Sequence, residues 1–416
     1  MKDETTVAVQ KILVVFGTRP EAIKLAPVIH SLHCSRERFA TVVCNTGQHR
    51  EMLQQALAAL EIEADYNLGV MKSGQSLAEV TTSVLNGLSR ILALEKPDAV
   101  LVQGDTTTAF AASLAAYYQR IFIGHVEAGL RTENKYSPFP EEINRRLITH
   151  LADFHFAPTE SARANLLKEG IRDDKILVTG NTVCDALLYI RQRLAADPSL
   201  SRDAGIGELD DHRVVLVTAH RRESFGRPLL QICEAIRTLA CQRPDIRLVY
   251  PVHLNPNVAK PVYDLLDGLP NVKLTGPMDY VSFVALMDRA TILLTDSGGL
   301  QEEGPAIGKP VLVMRDTSER PEAIQAGCAC LVGTDPKRIV GAVERLLDDP
   351  VLYERMSNSP NPYGDGKAAG RIAKFIRQAL GASAGDPGGA RDNCYGTDST
   401  ERSVGAGGGS APVSYS

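Results

Sequence analysis

The sequence lacks several patterns that would assign a protein to a class directly. Its eight cysteines form no Cys-x-x-Cys pair and no zinc-type spacing with histidine, so we predict free thiols in a reduced compartment and no metal site. No apolar run approaches the roughly 18 residues that span a bilayer. The polar N-terminus, residues 1–10, shows no signal-peptide pattern. We therefore predict a cytoplasmic location and no membrane partner.

A positive net charge is also missing. The formal net charge is −5 over 416 residues, so no overall basic field favours nucleic acid or anionic lipid, and we predict no nucleic-acid partner. Hydrophobic residues make up 44% and charged residues 23% of the chain, which is typical of a globular protein. At roughly 100–200 residues per domain, this length predicts two domains, or three.

Short apolar runs alternate with amphipathic segments along most of the chain, and the two patterns predict strands and helices respectively. Strands are predicted at Lys11–Phe16, Thr41–Cys44, Ala99–Gln103, Ile121–Val126, Val214–Thr218, Leu248–Val252, Val272–Leu274, Ile292–Thr295 and Val311–Met314. Helices are predicted at Pro20–Leu32, Arg50–Leu60, Leu77–Leu94, Ala109–Tyr118, Leu229–Ala240, Leu300–Ile307 and Ile339–Leu347. Continuous apolar strands with helices between them predict an α/β fold whose parallel sheets are covered on both faces.

The alternation is interrupted once and then stops. The polar stretch Leu194–His212 breaks it, so we place a linker near residues 185–212. This predicts an N-terminal domain over residues 1–185 and a C-terminal domain over residues 186–380, with the last helix packing back on the first domain. Residues 381–416 are rich in Gly and Ser with almost no large apolar side chain, so we predict a disordered tail without catalytic residues.

Polar and small residues follow many of the predicted strands. These segments are Gly17–Glu21, Gly104–Thr108, Glu127–Arg131, Ala219–Glu223, His253, Asp296–Gly299 and Arg315–Asp316. Ligands of open parallel sheets bind beyond the carboxyl ends of the strands. We therefore predict that these residues converge on one face of each domain.

Two of these segments suggest a nucleotide. Gly17–Glu21 lacks the G-x-G-x-x-G fingerprint, so NAD is not predicted; it is either a tight turn before a helix or a place where Arg19 meets an anion. In Asp296–Gly299, small residues would let backbone N–H groups approach a phosphate. The acidic residues that follow, Glu302 and Glu303, either complement the helix dipole or bind a ribose diol.

Three carboxylates in the first domain are candidates for proton transfer. Asp105 and Glu127 follow strands, and Glu141 lies further along the chain. Asp105 could simply cap the helix that follows it. Alternatively, the pKa values of the three groups could be pushed apart so that one acts as acid and another as base.

Taken together, these motifs resemble the non-hydrolysing UDP-N-acetylglucosamine 2-epimerases, which are related to the GT-B glycosyltransferases. The matching blocks are FGTRPEAIKLAPV (16–28), TGQHREML (46–53), GDTTT (104–108), GHVEAGLRT (124–132), YSPFPEEINR (136–145), TGNTVCDAL (179–187), TAHRRESFG (218–226), VYPVHLNPNV (249–258), LTDSGGLQEE (294–303), GKPVLVMRDTSERPEA (308–323) and NPYGDG (361–366). They span the chain up to about residue 380.

The resemblance implies two Rossmann-like domains in a GT-B architecture, with the active site in the cleft between them. It implies interconversion of UDP-GlcNAc and UDP-ManNAc by elimination of UDP to a 2-acetamidoglucal and re-addition. It also implies that no cofactor or metal is needed, that the enzyme is a homodimer, and that it supplies ManNAc units for surface polysaccharide synthesis.

The resemblance also implies roles for individual residues. The implied catalytic residues are Asp105, Glu127, Glu141 and the diphosphate-contacting His220. The implied substrate-binding residues are Arg19, Lys24, Arg145, Met278, Phe283, Ser297, Gly298, Gly299, Glu303 and Arg320. Judged without the family, Met278 and Phe283 could equally be core residues.

The chain departs from the family pattern in one region. Gln48 and His49 match a region where some members bind a second UDP-GlcNAc as an activator. Gly74, however, stands where activator-dependent members can carry an arginine, which counts against activation of this kind.

Three alternatives stay open at the level of sequence. A hydrolysing epimerase would release free ManNAc and UDP. A GT-B glycosyltransferase would need an acceptor groove, and the dense set of ionisable residues in the first domain argues against one. The third alternative is a catalytically inactive nucleotide-binding module. The sequence shows no cause for a loss of activity, since Asp105, Glu127, Glu141 and His220 are all present.

Overall fold

The computed structural model describes residues 9–47, 50–70, 74–201 and 212–383. Its contacts divide the chain into a large compact unit that ends at Phe375 and a short one that begins at Ile376. Both sheets lie in the large unit. The described residues of the short unit, Ile376–Ser383, form the last turns of the final helix.

Strands of the first sheet come from the first half of the chain. They are β1 Gln10–Phe16, β2 Phe39–Asn45, β3 Tyr66–Asn67, β4 Ala99–Gln103, β5 Phe122–Val126, β6 Phe154–Ala157 and β7 Ile176–Val178. All pair in parallel in the order β3-β2-β1-β4-β5-β6-β7. The central strands β1 and β4 are apolar and almost entirely buried, because helices cover both faces of the sheet.

Helices of the first half are α1 Arg19–His33, α2 Arg50–Ala59, α3 Leu77–Glu95, α4 Thr107–Tyr118, α5 Glu141–Leu151, α6 Glu160–Lys168 and α7 Thr182–Ala196. Short 3-10 turns lie at Asp173–Lys175 and Pro198–Ser201. Helix α4 carries a row of buried alanines that lets α3 approach closely, with the apolar side chains of β1 and β4 in the same core.

Strands of the second sheet repeat the same topology. They are β8 Arg213–Thr218, β9 Ile246–Pro251, β10 Val272–Thr275, β11 Ile292–Thr295, β12 Val311–Val313 and β13 Ala329–Leu331. They pair in parallel in the order β10-β9-β8-β11-β12-β13. In both sheets the chain thus starts at a central strand, builds outward to one edge, and then returns to build the other side.

Helices of the second half are α8 Arg227–Gln242, α9 Pro256–Leu266, α10 Tyr280–Arg289, α11 Leu300–Ala306, α12 Pro321–Gln325, α13 Pro336–Asp348, α14 Pro350–Ser357 and α15 Ala368–Ser383. A 3-10 turn lies at Arg222–Ser224. A second core fills the space between this sheet and helices α8, α9 and α13. Within the described ranges, no helix combines the length and the apolar composition that a membrane crossing requires.

The predicted elements are present within a few residues of their expected ends, and the α/β fold with two parallel sheets is confirmed. The segment between residues 141 and 196 was not assigned from sequence. It contains α5, α6, α7 and the strands β6 and β7. These two strands have only four and three residues, too few to show a period.

Helix α7 connects the two halves of the large unit. It packs against α1, which covers the first sheet, and against α10 and α11, which belong to the second. Its N-cap is Asn181, whose side-chain oxygen accepts a hydrogen bond from the backbone N–H of Val183 at 3.1 Å. The first residue of α7 therefore sits where both halves meet.

Candidate active site

Each sheet has a switch point, where neighbouring strands connect onward in opposite directions. In the first sheet it lies between β1 and β4, and in the second between β8 and β11. The loops that leave these four strands begin at Gly17, Gly104, Ala219 and Asp296. Ligands of doubly wound sheets bind at such points, so the predicted segments occupy the expected positions in both sheets.

Glu21 ties together the two loops of the first switch point. Its side chain accepts hydrogen bonds from the backbone N–H of Gly17 at 3.1 Å and of Thr18 at 2.7 Å, closing a capping box at the start of α1. Its second oxygen accepts the Thr106 hydroxyl at 2.6 Å. This buried carboxylate therefore fixes the start of α1 relative to the loop that carries Asp105.

Glu127, which follows β5, contacts three polar side chains. Lys24 Nζ lies 2.6 Å from its Oε1, Asn181 Nδ2 donates to the same oxygen at 2.8 Å, and Gln103 donates to Oε2. Burial alone would raise the pKa of Glu127, but the charges of Lys24 and Arg320 and the hydrogen bonds hold it below its usual value. Glu127 is therefore a carboxylate at neutral pH.

The backbone of Glu127 is also strained. Its φ of 65° lies in the left-handed region, which L-residues other than Asn and Asp seldom adopt. Conformations of this kind cost of order 1–3 kcal/mol and persist where surrounding structure enforces them, often at functional sites. The strain turns the Glu127 carboxylate toward Lys24.

Asp105 follows β4 and pairs with Arg145 of α5. The backbone carbonyl of Asp105 also accepts from Asn144 Nδ2 at 2.9 Å. Burial raises the pKa of Asp105 in spite of the Arg145 charge, and the nearby Glu127 charge raises it further. Asp105 does not cap α4: that cap is Thr106, whose hydroxyl accepts from Ala109 N–H at 3.0 Å.

Glu141 is the first residue of α5 and is half-buried. It lies four residues before Arg145, so both side chains share one face of the helix. Its neighbour Glu142 is fully buried and lies 3.5 Å from Arg145 and 3.0 Å from Arg146. Glu142 therefore braces the arginine that holds Asp105, while Glu141 is the more accessible acid of the two.

A chain of polar contacts continues from Glu127 into the second half. Asn181 Nδ2 donates to Glu302 Oε2 of α11 at 2.9 Å, and Glu302 pairs with Arg320, which precedes α12. The Glu302 side chain is 1% exposed. The predicted Lys24 and Arg320 thus belong to one network, joined through Glu127, Asn181 and Glu302.

Glu303 is buried beside this network. The Tyr280 hydroxyl lies 3.4 Å from its Oε1. Burial, with the Glu302 charge adding to it, raises the pKa of Glu303 to about 7. Burial lowers the pKa of Arg19, at the start of α1. The nearby charges of Tyr280, Asp279 and Glu303 oppose this lowering. Arg19 therefore faces the second half.

His220 follows β8 and lies beside Asp296, which follows β11. The Asp296 carboxylate accepts the backbone N–H groups of His220 and Arg221, each at 2.9 Å, and the Ser224 hydroxyl at 3.0 Å. The His220 ring stacks on His253 with centroids 5.7 Å apart. Desolvation lowers the pKa of His220, although 43% of its side chain stays accessible, so it is a neutral, reachable imidazole at neutral pH.

The Ser297–Gly299 loop leads into α11. A side chain on Gly298 would place its Cβ 3.3 Å from the Arg221 guanidinium, and Gly299 lies against Glu303. The predicted base-pocket residues Met278 and Phe283 lie just before and within α10, and both are half-buried.

Within the described residues, no group of three or more His, Cys, Asp or Glu side chains has the arrangement of a metal site. Gln48, His49 and the stretch 71–73 lie outside the described residues. The activator-site hypothesis therefore stays a prediction from the sequence, although Gly74 itself is described, with a φ of 74°.

Sequence reasoning missed three residues of this site: Gln103, Asn181 and Asp296 as an organiser of His220. Asn181 follows a strand in a matched block, but Asn before a helix is most simply a cap. Gln103 ends an apolar strand, where a polar residue is unremarkable. A donor beside a carboxylate becomes recognisable only when the fold places the two together.

Comparison with known proteins gives a consistent result. The family model described as UDP-N-acetylglucosamine 2-epimerase matches residues 32–377. A UDP-N-acetylglucosamine 2-epimerase of Escherichia coli O157:H7 is 55% identical over 370 residues, covering 88% of this chain and 98% of that protein.

Solved structures agree with this. The crystal structure of UDP-GlcNAc 2-epimerase from Neisseria meningitidis bound to UDP-GlcNAc superposes with a TM-score of 0.83 at 51% identity, covering 89% of this chain and all of that one. The Methanocaldococcus jannaschii UDP-GlcNAc 2-epimerase, in complex with UDP-GlcNAc and UDP, gives 0.74 at 34% identity over 89% of this chain and all of that one. The fold is GT-B-like.

Proposed function

This chain belongs to the UDP-N-acetylglucosamine 2-epimerase family, and we propose that it is a non-hydrolysing enzyme that interconverts UDP-GlcNAc and UDP-ManNAc. The observation that carries this proposal is the pair of carboxylates beside the first switch point, the half-buried Asp105 and the buried Glu127. Asp105 and Glu127 are close enough to influence each other, and their pKa values shift in opposite directions. Such a pair suits one group to carry a proton and the other to accept one.

The proposed reaction begins by breaking the C1–O bond of the sugar. UDP leaves with that electron pair, and positive charge developing at C1 makes the C2 hydrogen acidic. One member of the Asp105–Glu127 pair takes the C2 proton, and the electrons of the C2–H bond form the C1=C2 double bond of a 2-acetamidoglucal. Acid–base help of this kind contributes roughly 10²–10⁴-fold per group.

The second half of the reaction reverses these events on the other face of the sugar. A proton is delivered to C2 from that face, the C1=C2 electrons form the new C2–H bond, and UDP re-adds at C1. Glu141 shares a helix face with Arg145, the partner of Asp105, which supports a role for it as the third proton-handling group. Re-addition re-forms the C1–O bond to UDP, which separates this reaction from hydrolysis, where water supplies the oxygen at C1.

The leaving diphosphate needs positive charge and hydrogen-bond donors. Arg19 and Arg320 supply charge, and the accessible His220 supplies a donor beside the Ser297–Gly299 loop. We propose that Glu303, which lies beside the Ser297–Gly299 loop, accepts hydrogen bonds from the ribose. We propose that Met278 and Phe283 line the base pocket, which is supported by their partial exposure at the start of α10.

The test is proton NMR of the purified protein with UDP-GlcNAc alone in D₂O. We expect UDP-ManNAc carrying deuterium at C2, with only traces of free ManNAc. Accumulation of free ManNAc and UDP would instead assign the chain to the hydrolysing class. No reaction at all would reject the proposal and call for an added acceptor sugar, which would reveal a glycosyltransferase.

Two conservative variants test the proposed roles of Asp105 and Glu127 in the same experiment. Asp105→Asn and Glu127→Gln keep the shape of each side chain but remove its charge, so each should lose at least roughly 10²-fold in kcat.

Four points stay predictions from the sequence. These are the homodimer, the cytoplasmic location, the two-domain boundary and the supply of ManNAc for surface polysaccharide.

A further inference from the structure

Asn181 occupies a position that its role as a helix cap does not require. The two hydrogens of its side-chain amide reach different carboxylates: Glu127 Oε1 at 2.8 Å and Glu302 Oε2 at 2.9 Å. Glu127 belongs to the first half and Glu302 to the second. Asn181 is 2% exposed and both acids are buried, so the amide contacts the two acids away from bulk solvent.

The orientation of the amide follows from its partners. Its oxygen accepts the backbone N–H of Val183 at 3.1 Å. The opposite orientation would place the oxygen between two carboxylates and the NH₂ group against a backbone donor, leaving every contact repulsive. The NH₂ group therefore points at the two acids.

The backbone around Asn181 is held from both sides. The N–H of Asn181 donates to the carbonyl of Tyr363 at 2.6 Å. The preceding Gly180 has a φ of 85°, and a Cβ built there would lie 3.0 Å from the Cα of Gly364. Asn181 thus has little freedom to move away from the acids that it contacts.

We propose that Asn181 is a positioning residue that orients the Glu127 carboxylate for proton transfer and connects it to the Glu302–Arg320 ion pair on the nucleotide side. This inference rests on the proposed function. Without the amide, two anionic carboxylates would face each other across the junction of the two halves. In this proposal Asn181 itself makes no contact with the substrate and acts through Glu127.

The charged and titratable groups around Glu127 come from several elements. They are Lys24 of α1, Asp105 after β4, His125 within β5, Glu302 of α11 and Arg320 before α12. Lys24 and Arg320 favour the anionic form of Glu127, and Asp105 disfavours it. Loss of the Asn181 donor should therefore raise the pKa of Glu127, which moves the acid limb of the kcat–pH profile to higher pH.

Two substitutions separate this role from capping. Ser and Asp both cap helices about as well as Asn, so Asn181→Ser and Asn181→Asp should keep α7 capped. N181S replaces the amide NH₂ with a shorter side chain whose single O–H cannot donate to both acids at once, and we expect kcat to fall about tenfold to a hundredfold with KM nearly unchanged. N181D replaces the donor with a third carboxylate oxygen, and we expect a larger loss. A role in capping alone predicts equal, mild effects.

Asp335→Ser is the matched control, because Asp335 caps α13 through the same kind of bond, to Arg338 N–H at 3.0 Å. It should leave kcat and the pH profile unchanged. If N181S does not fold, as judged by circular dichroism, Asn181→Thr takes its place, because Thr also caps helices and also lacks the amide.

The outcomes are distinguishable. An active wild-type protein whose N181S variant keeps both kcat and the acid limb rejects this inference alone, as does an N181D variant no worse than N181S. A wild-type protein that exchanges no hydrogen at C2 rejects the proposed function and this inference with it. A lower kcat with a displaced acid limb supports both.

Discussion

Two buried histidines show how one residue type can take a role that its sequence context does not suggest. His125 in β5 and His155 in β6 are directly paired in the sheet and almost fully buried. His125 Nε2 lies 2.7 Å from the carbonyl of Gly104, just before Asp105, and therefore donates to it. Burial lowers the pKa of His125 to about 4 and that of His155 to about 3. Both are neutral at physiological pH.

These histidines predict a specific pH dependence of stability. Each folded-state pKa lies below the ordinary value of 6.5. At a pH between the folded-state and ordinary pKa values, the unfolded chain therefore binds more protons than the folded chain. The stability that each contributes is complete above about pH 6.5 and is lost as the pH falls toward 4. Each adds a slope of about 1.4 kcal/mol per pH unit in that window. His155→Gln should therefore flatten the dependence of the unfolding free energy on pH by that amount, measured by urea denaturation between pH 4.5 and 6.5.

If H155Q gave the same slope as the wild-type protein, the buried His155 would not be the group that titrates on unfolding.

At the scale of elements, the loop between β7 and α7 depends on a glycine for two separate reasons. Gly180 has a positive φ, and a Cβ added to it would lie against the Cα of Gly364 and the carbonyl oxygen of Tyr363. Gly170, after α6, has the same φ of 85° but nothing within 4 Å of an added Cβ. The pair separates backbone strain from packing.

Gly170→Ala should cost about 1–2 kcal/mol from backbone conformation alone. Gly180→Ala should cost that amount plus roughly 1–3 kcal/mol, because a methyl group would force apart two packed backbone segments. Unfolding free energies from urea denaturation test this. Equal losses in the two variants would show that the Gly180–Gly364 contact can relax, and would weaken the argument that Asn181 is rigidly held.

The helices also illustrate what local signals convey. The sequence pattern predicts α1 from Pro20 and α4 from Ala109, and the structure begins them at Arg19 and Thr107, after caps at Thr18 and Thr106. That Glu21 of α1 also receives the Thr106 hydroxyl, 85 positions away, is not readable from sequence, because the contact depends on β1 and β4 being neighbours.

At the scale of the whole molecule, the match to the family model ends at residue 377, and residues 384–416 lie outside the described residues. We predict that a chain ending at Ser383 keeps the wild-type kcat, KM and thermal midpoint, because the Gly/Ser-rich segment has almost no large apolar side chain. Loss of activity on this truncation would instead assign a function to residues 384–416.

A chain ending at residue 367 is the contrasting case. It loses α15, from which Phe375 packs edge-on against Phe154 and Phe156 with centroids 5.4 and 5.6 Å away. The truncation also removes the fully buried Ile372 of α15. Loss of a buried Ile side chain costs roughly 2–5 kcal/mol, so the thermal midpoint should fall clearly.

The sequence by itself determined the alternation of strands and helices, the parallel sheets and the segments that lie at their carboxyl ends, since periodicity and turn chemistry are local properties. Predicted boundaries such as Ala99–Gln103 and Ile292–Thr295 match the structure. The matched blocks also indicated the family, because so many of them occur in order along one chain.

Only the tertiary structure decided which of these side chains meet. Glu127 accepts a hydrogen bond from Lys24, 103 positions away in the sequence, and Asn181 donates one to Glu302, 121 positions away. The order of strands in each sheet sets these encounters, and no local period records that order. The pKa of each acid then follows from burial and from its neighbours, which is why Asp105, Glu127 and Glu303 could be nominated from sequence but their ionisation states could not.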